Sequence, residues 1–225
     1  MACLTKNMSF EAIKNMQKFH YDLEEIFTKN GMDFKENLGR RNIVMSHAQE
    51  KFFTEALRKK FKRVINDGRT GQPDIVIEDE NLGMTKEIEC KLTTRHRSGA
   101  ISFQSDYETL VKKKQLDYLY VIASDDFDKF AVLYFEGLTV DDFRPLSNGA
   151  RGKVAMYKHK GFKKCKVLLG NVSSMNEINI KKLKSKISDN NVPNYIKNRA
   201  KKSLKYWMDT PEKFKIELET TPDFA

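Results

Sequence analysis

Cysteine is scarce in this 225-residue chain, which argues against a fold held together by disulfides. The three cysteines, Cys3, Cys90 and Cys165, are odd in number and far apart, so they form neither a disulfide framework nor a zinc site. The four histidines likewise show no spacing typical of metal ligands. This cysteine usage is typical of a reducing compartment, and we predict a cytoplasmic protein.

Long apolar runs are also missing. No stretch approaches the ~20 apolar residues that a membrane-spanning helix needs, and the opening segment MACLTKNMSF lacks the apolar core of a signal peptide. We therefore expect no membrane partner. Internal repeats and low-complexity linkers are absent from the sequence too, and its length suits a single domain, residues 1–225, with a sizeable α/β core.

Acidic residues are outnumbered by basic ones, 31 against 41, which gives a formal net charge of +10. Such an excess fits a polyanionic partner, although charge alone does not choose between nucleic acid, acidic lipid and acidic protein. The imbalance is greatest between residues 144 and 166, where eight Lys or Arg occur without a single Asp or Glu. This span is a candidate binding surface.

Two short segments of alternating polarity, residues 72–77 and 87–92, carry the most informative pattern. The alternation predicts β-strands. Side chains two residues apart on a strand point to the same face, so Glu89 and Lys91 should project together. Turn residues 81–83 lie between the segments and predict a hairpin that brings Asp74 beside Glu89. Two carboxylates and an amine would then converge at one end of a sheet.

This arrangement has a chemical use. Two carboxylates can hold Mg²⁺, which prefers oxygen ligands and keeps several waters. A bound metal polarises a phosphoryl oxygen and lowers the pKa of a bound water, and a nearby lysine can neutralise transition-state charge. The alternative is a solvated strand face with an ordinary Glu–Lys neighbour pair. Pro73-Asp74, which opens an apolar strand upstream of Glu-x-Lys, favours the site over that alternative.

Pro73-Asp74 followed by Glu89-Cys90-Lys91 resembles the signature of the PD-(D/E)XK nuclease superfamily, and the length and basic charge resemble those of a type II restriction endonuclease. The resemblance covers residues 46–135 in outline. It implies a restriction-endonuclease-like α/β/α core with a central mixed β-sheet, and Mg²⁺-dependent hydrolysis of phosphodiester bonds in double-stranded DNA. It further implies a homodimer on a palindromic site and a cognate DNA methyltransferase in the same system.

The resemblance also assigns roles within the signature. Asp74 and Glu89 would be metal ligands, and Lys91 would be the catalytic lysine. Cys90 takes the variable position between them and is counted with the metal-site residues. Members of the superfamily often carry a helical glutamate near the metal, and Glu50 is the candidate for that catalytic role.

Two helices are predicted ahead of these strands. Ser9–Asn30 has an apolar stripe at helical spacing, and we expect it to pack in the core or in a dimer interface. Residues 32–45 look like a basic loop. Ser46 and Gln49 form a capping box that predicts a second helix over Ser46–Lys62. Glu50 then shares the core-facing side of this helix, although an alternative is a wet acid favoured by the helix dipole.

The rest of the core is predicted from residues 105–135. The run LDYLYVIA over 116–123 predicts a central buried strand, and residues 130–135 its return. A capping box over 105–108 predicts a helix between this strand and the Glu-x-Lys strand. The catalytic core would thus occupy about residues 46–143.

A basic β/α extension in the C-terminal third, about residues 144–208, would recognise DNA. Glycine turns and short strand-like pieces over 144–166 predict a basic ribbon that enters a groove, although a generic basic surface is the alternative. Lysine-rich helices are predicted over 178–187 and 194–208. The residues predicted to contact DNA share a basic or polar side chain near the proposed scissile phosphate or on this extension: Arg69, Thr93, Arg95, Arg97, Gln104, Asn148, Arg151, Lys153, Lys163 and Lys164.

The sequence therefore favours a type II restriction endonuclease, a site-specific enzyme with Mg²⁺ as cofactor. A junction-resolving or DNA-repair nuclease of the same superfamily is the nearest alternative, and the long basic segment favours the sequence-reading enzyme over it. A non-catalytic nucleic-acid-binding protein with a degenerate nuclease core is the alternative from another class. The intact Asp, Glu and Lys argue against that last interpretation.

Overall fold

A computed structural model of the protein describes residues 3–67, 69, 72–79, 83–95, 101–147 and 152–221. The described residues form six α-helices: α1 (Lys6–Lys29), α2 (Leu38–Arg58), α3 (Tyr107–Lys113), α4 (Lys158–Gly161), α5 (Met175–Ser188) and α6 (Asn194–Asp209). They also form eleven strands: β1 (Arg63–Asn66), β2 (Ile75–Asp79), β3 (Met84–Thr94), β4 (Gln104–Asp106), β5 (Leu116–Ala123), β6 (Lys129–Leu138), β7 (Lys153–Ala155), β8 (Cys165–Leu169), β9 (Asn171–Ser174), β10 (Phe214–Glu217) and β11 (Glu219–Thr220). The chain divides into two compact units, residues 1–171 with 218–225, and residues 172–217.

The larger unit is built on a seven-stranded mixed sheet, as predicted. Its strand order is β1-β2-β3-β5-β6-β11, and β8 also pairs with β6. The β3–β5 pair is parallel, and the other pairs of this sheet are antiparallel. A parallel pair needs a crossover connection, and here α3 lies in the segment that joins β3 to β5.

The two faces of the central sheet are covered by different parts of the chain. All eight residues of β5 are buried, which confirms the predicted central strand. Successive side chains alternate between the faces. Ile75 and Leu119 belong to the core beneath α1 and α2. On the other face, Tyr120 and Phe135 pack edge-to-face against Phe103, with ring centroids 4.9 and 5.8 Å apart.

Both N-terminal helices begin earlier than predicted. Thr5 caps α1 by accepting a hydrogen bond from the Met8 N–H, whereas the Ser9 hydroxyl donates to the Thr5 carbonyl. Asn37 caps α2, so the basic loop predicted over 32–45 is wrong from residue 38 onward. Ser46 therefore lies inside the helix, where its hydroxyl donates to the carbonyl of Ile43 at 2.7 Å.

A buried arginine explains why a basic segment belongs to α2. Arg41 is 1% exposed, and its guanidinium donates to the Asp125 carbonyl and to the Thr94 hydroxyl, the latter at 2.9 Å. The guanidinium also lies over the Phe127 ring, 5.2 Å from its centroid. Because backbone and hydroxyl oxygens replace water around the charge, the arginine can be buried at the end of the sheet.

Other segments also differ from their predictions. β1 was not predicted from the sequence, and it pairs with β2. The basic ribbon predicted over 144–166 is not continuous, since β7 pairs with β4 whereas β8 joins the central sheet beside β6. Asp106, rather than Ser105, caps α3. The two lysine-rich helices are present as α5 and α6.

His20 on α1 is a buried base that the fold keeps neutral. It is fully buried, and neither ring nitrogen has a hydrogen-bond partner. Its ring stacks on Phe127, with centroids 4.6 Å apart and planes 6° apart. Burial, assisted by the positive charge of Arg41, lowers the pKa of His20 to about 4, although the Glu24 carboxylate, 3.8 Å away, opposes this.

We expect acid to destabilise the fold through His20. The unfolded histidine binds a proton near pH 6.5, but the folded one does so only near pH 4. Stability from this group is therefore complete above pH 6.5 and is lost as pH falls to 4, by about 3 kcal/mol at ~1.4 kcal/mol per pKa unit. Urea unfolding of wild type and His20→Phe at several pH values measures this loss, because the comparison cancels other titrating groups. Parallel stability curves for the two proteins would contradict it.

Candidate active site

The β2–β3 hairpin brings Asp74 beside Glu89, as the alternating pattern predicted. Ile75 pairs with Ile88 in this antiparallel hairpin, so Asp74 lies across from Glu89. One carboxylate oxygen of Asp74 accepts a hydrogen bond from the Cys90 N–H at 2.7 Å. This bond fixes Asp74 against the strand that carries Glu89.

Lys91 completes a compact group of three charges. Its Nζ lies 2.5 Å from Glu89 Oε1, and the two side chains project from the same face of β3. The Glu89 side chain is 15% exposed and that of Lys91 is 34% exposed. An ion pair shielded to this degree is less screened than a surface pair, yet the lysine amine remains accessible to a ligand.

The three charges perturb one another strongly. Burial and then the negative charge of Glu89 raise the pKa of Asp74 to about 7, whereas the bond from Cys90 N–H opposes the rise. Burial pulls the pKa of Lys91 down, but the charge and hydrogen bond of Glu89 outweigh burial and raise it. The lysine is therefore fully protonated at neutral pH, next to two carboxylates that repel each other.

Cys90 presents its thiol to the other face of the sheet. The side chain belongs to the core beneath α1 and α2, and burial raises its pKa well above the ordinary value. A protonated, core-facing thiol does not reach the carboxylates on the opposite face. A role for Cys90 in metal binding would therefore fall to its main chain.

Glu50 adds a third carboxylate at the edge of this group. It lies on α2, which packs against β3, and it is half-buried. Burial raises the pKa of Glu50, His47 lowers it, and Glu89 raises it further. Within the described part of the chain, however, no three His, Cys, Asp or Glu side chains are arranged to hold a metal ion together. Glu50 thus shares the electrostatic field of Asp74 and Glu89.

The donor set nevertheless fits Mg²⁺. Asp74 and Glu89 offer only oxygen donors, and their mutual repulsion is relieved by a divalent cation. Mg²⁺ commonly binds to one or two carboxylates while substrate phosphates and waters supply its remaining ligands. Two protein carboxylates therefore suffice for this ion, whereas a zinc site would need more nitrogen or sulfur donors.

Two tyrosines of β5 border the group and were not singled out from the sequence. Tyr118 lies beside Glu89 and Tyr120 beside Lys91 in the parallel β3–β5 register. The Tyr118 hydroxyl is 2.5 Å from Ser105 Oγ, and the Tyr120 hydroxyl donates to the Gln104 carbonyl at 2.8 Å. Burial raises the pKa of both phenols, so they stay protonated. Their alternation in LDYLYVIA was the available signal.

Of the residues predicted to contact DNA, two pair with a carboxylate of the protein, five lie elsewhere in the described ranges and three lie outside those ranges. The Arg69 guanidinium donates to both carboxylate oxygens of Asp67, at 2.8 and 2.5 Å, and this pairing lowers the pKa of Asp67 to about 2. Lys164 bonds to Asp142 at 2.7 Å. The remaining described members lie at the end of β3, on β4, on β7 and before β8: Thr93, Arg95, Gln104, Lys153 and Lys163. Arg97, Asn148 and Arg151 lie outside the described residues.

The sequence and structure of the chain were compared with those of known proteins. No family model, curated protein or solved structure gives a significant match to this chain. None of the helices in the described ranges is long and apolar enough to cross a lipid bilayer. The functional argument therefore depends on the chemistry of the Asp74, Glu89 and Lys91 group.

Proposed function

We propose that the protein is a Mg²⁺-dependent nuclease that hydrolyses phosphodiester bonds in double-stranded DNA, in the manner of a type II restriction endonuclease of the PD-(D/E)XK superfamily. The observation that carries this proposal is the convergence of Asp74, Glu89 and Lys91 on one face of the central sheet. A merely solvated strand face would not bury two carboxyl groups side by side, because burial and repulsion both raise the free energy of their ionised forms.

The element order around the site supports a restriction-endonuclease-like α/β/α core. α2 precedes three antiparallel strands, β1, β2 and β3, and the crossover through α3 then adds β5 parallel to β3. The acidic and basic groups of the signature lie on β3 and immediately before β2. This arrangement fixes Glu89 and Lys91 on a strand and Asp74 directly before one.

Each residue of the site has a distinct task in the proposed reaction. Asp74 and Glu89 would hold Mg²⁺, which when bound polarises a phosphoryl oxygen and activates a coordinated water. The Lys91 ammonium, kept protonated by Glu89, would neutralise the negative charge that develops on the phosphoryl oxygens. Glu50, which interacts electrostatically with Glu89 and Lys91, would orient the attacking water.

The proposed partner is double-stranded DNA at a palindromic site, and a cognate DNA methyltransferase would belong to the same system. Two strands of a palindrome require two active sites related by a two-fold axis, which a homodimer supplies. α1 is the candidate interface, since Phe19, Tyr21 and Ile26 are exposed on it. Sedimentation velocity, with and without DNA, should show a dimer, and a monomer under both conditions would contradict this part of the proposal.

A cleavage assay tests the function directly. The purified protein is incubated with Mg²⁺ and plasmid or phage DNA, and in parallel with a four-way junction. We expect discrete bands from the duplex substrates and none in the presence of EDTA. Lys91→Ala protein, purified by the same procedure, is the control for contaminating nucleases.

The outcomes of this assay separate the alternatives. Cutting confined to the junction would identify a junction-resolving enzyme of the same chemistry. Retardation of DNA without cutting would identify a binding protein and would overturn the catalytic assignment.

A further inference from the structure

The smaller unit, residues 172–217, is one of two parts of the chain with a strong excess of positive charge. This stretch contains eleven Lys or Arg against five Asp or Glu, so 46 residues carry +6 of the formal +10. The unit is a hairpin of α5 and α6 closed by the β9–β10 pair. The buried Asn176 amide donates to the carbonyls of Trp207 and Thr210 at 3.1 and 2.9 Å, which ties the base of the hairpin together.

In the other basic segment, residues 144–166, three of the eight Lys or Arg side chains bind oxygen atoms of the protein itself. Lys164 pairs with Asp142 at 2.7 Å, and Lys166 pairs with Glu136 at 2.5 Å. The amine of Lys160 donates to the backbone carbonyl of residue 141 at 2.9 Å. Such amines would have to break protein contacts before they could bind phosphate, so this segment offers less cationic surface than its composition suggests.

The cations of α5 and α6 are in the opposite situation. Nine Lys or Arg lie on these two helices: Lys181, Lys182, Lys184, Lys186, Lys197, Arg199, Lys201, Lys202 and Lys205. None of the nine forms an ion pair with a carboxylate of the described residues, and eight are exposed. Like charges crowded on a hairpin repel one another, and a polyanion relieves that repulsion.

α6 has an inner apolar face and an outer basic one. Ala200 is buried, and Ile196, Leu204 and Trp207 share its side of the helix at helical spacing and are half-buried. The outer side carries a stripe with spacings of four, three and four residues: Tyr195, Arg199, Lys202 and Tyr206. The tyrosines at its two ends are 66% and 55% exposed.

We infer that the α5–α6 hairpin is the surface that holds the DNA backbone, through the outer face of α6, independently of DNA sequence. This inference rests on the proposed function in taking DNA as the partner. Arginine, lysine and tyrosine side chains are typical phosphate-contacting groups. An acidic lipid surface is disfavoured because an interfacial helix needs an exposed apolar face, whereas the apolar face of α6 packs inward.

The slope of log K against log salt concentration, where K is the DNA-binding constant, measures these phosphate contacts. Each phosphate contact on duplex DNA contributes about 0.9 to the slope, because each contact releases counterions. Changing Arg199, Lys201, Lys202 and Lys205 together to glutamine should therefore flatten the slope by about 2–4 units, equally on unrelated duplexes. Fluorescence anisotropy of the full-length protein on short duplexes in EDTA gives the slope without cleavage.

A matched variant controls for net charge. Lys29, Lys35, Lys51 and Lys59 are four lysines of the larger unit that each pair with a glutamate, and changing them to glutamine removes the same charge. Thermal unfolding checks that both variants are folded. We expect the control to keep the wild-type slope, and an equal change in both variants would overturn the inference.

Two further outcomes decide the partner and separate the inference from the nuclease proposal. Binding to phosphatidylserine vesicles but not to DNA would overturn the inference in favour of a lipid partner. An unchanged slope in the α6 variant of a cleaving enzyme would refute the inference alone. A flattened slope in a protein that never cleaves would support it while the nuclease proposal fails.

Discussion

Alanine at position 91 is expected to reduce DNA cleavage by about 10²–10³-fold, the typical effect of losing one preorganised charge contact to a transition state. The Lys91 amine lies 2.5 Å from Glu89 and shares its strand face, so it is held beside the proposed metal ligands. Folding and DNA binding should remain nearly intact, since this one cation is a small part of the total. Single-turnover cleavage, with binding measured separately in EDTA, checks the result.

Substitution of either carboxylate should abolish cleavage for a different reason. Asp74→Ala and Glu89→Ala each remove an anionic ligand, so the Mg²⁺ concentration that supports cleavage should rise or no cleavage should remain. Without metal, Asp74→Ala should bind DNA at least as tightly as wild type, because a carboxylate near the phosphate is gone. A Mg²⁺ titration of each variant distinguishes loss of metal affinity from loss of the lysine charge.

The ion pair between Lys113 on α3 and Glu87 on β3 offers a matched control. Lys113 forms a partly buried pair with Glu87 on β3, at 2.7 Å, so Lys113→Ala breaks a Lys–Glu pair close to the site without touching it. We expect this variant to cleave normally. Wild-type cleavage by Lys91→Ala as well would refute the assignment of the site, and would leave the group as an ordinary surface whose substitutions cost within about 0.5 kcal/mol.

The predictable parts of the fold have local signals. β5 was bounded correctly because its eight buried residues are apolar or aromatic with the single exception of Asp117. The β2–β3 hairpin was predicted because alternating polarity fixes the strand period and the intervening turn fixes the pairing. Asp74, Glu89 and Lys91 could be placed together for this reason alone, since their convergence needs nothing from elsewhere in the chain.

The sequence-based predictions that were wrong concern segments whose structure depends on partners far away in the chain. Arg41 looks like a loop residue in sequence, yet carbonyls and a hydroxyl more than fifty residues away make its burial possible. β7 finds its partner in β4 and β8 in β6, so turn residues between them could not reveal a broken ribbon. Tyr118 and Tyr120 escaped notice because the register of a parallel pair is set across a crossover, which local pattern does not encode.

A second large effect is expected away from the site, at Asp117 on β5. This buried carboxylate accepts hydrogen bonds from Lys86 at 2.9 Å, from the Gly137 N–H at 2.7 Å and from the Tyr134 hydroxyl. The Cys3 thiol in turn donates to the Tyr134 oxygen at 2.8 Å. Because the carboxylate joins one buried and two partly buried donors from β3 and β6, its removal leaves several of them without an acceptor.

Asp117→Ala should lower the free energy of unfolding by about 3 kcal/mol, the low end for breaking a buried pair, because Lys86 can still turn toward Glu136, 3.5 Å away. Glu136→Ala is the matched control. It removes the more exposed carboxylate of the same network and should cost less than about 1 kcal/mol. Urea unfolding at neutral pH measures both values. Equal losses for the two variants would show that burial does not govern this network, whereas the expected difference would place its stabilising interaction at Asp117.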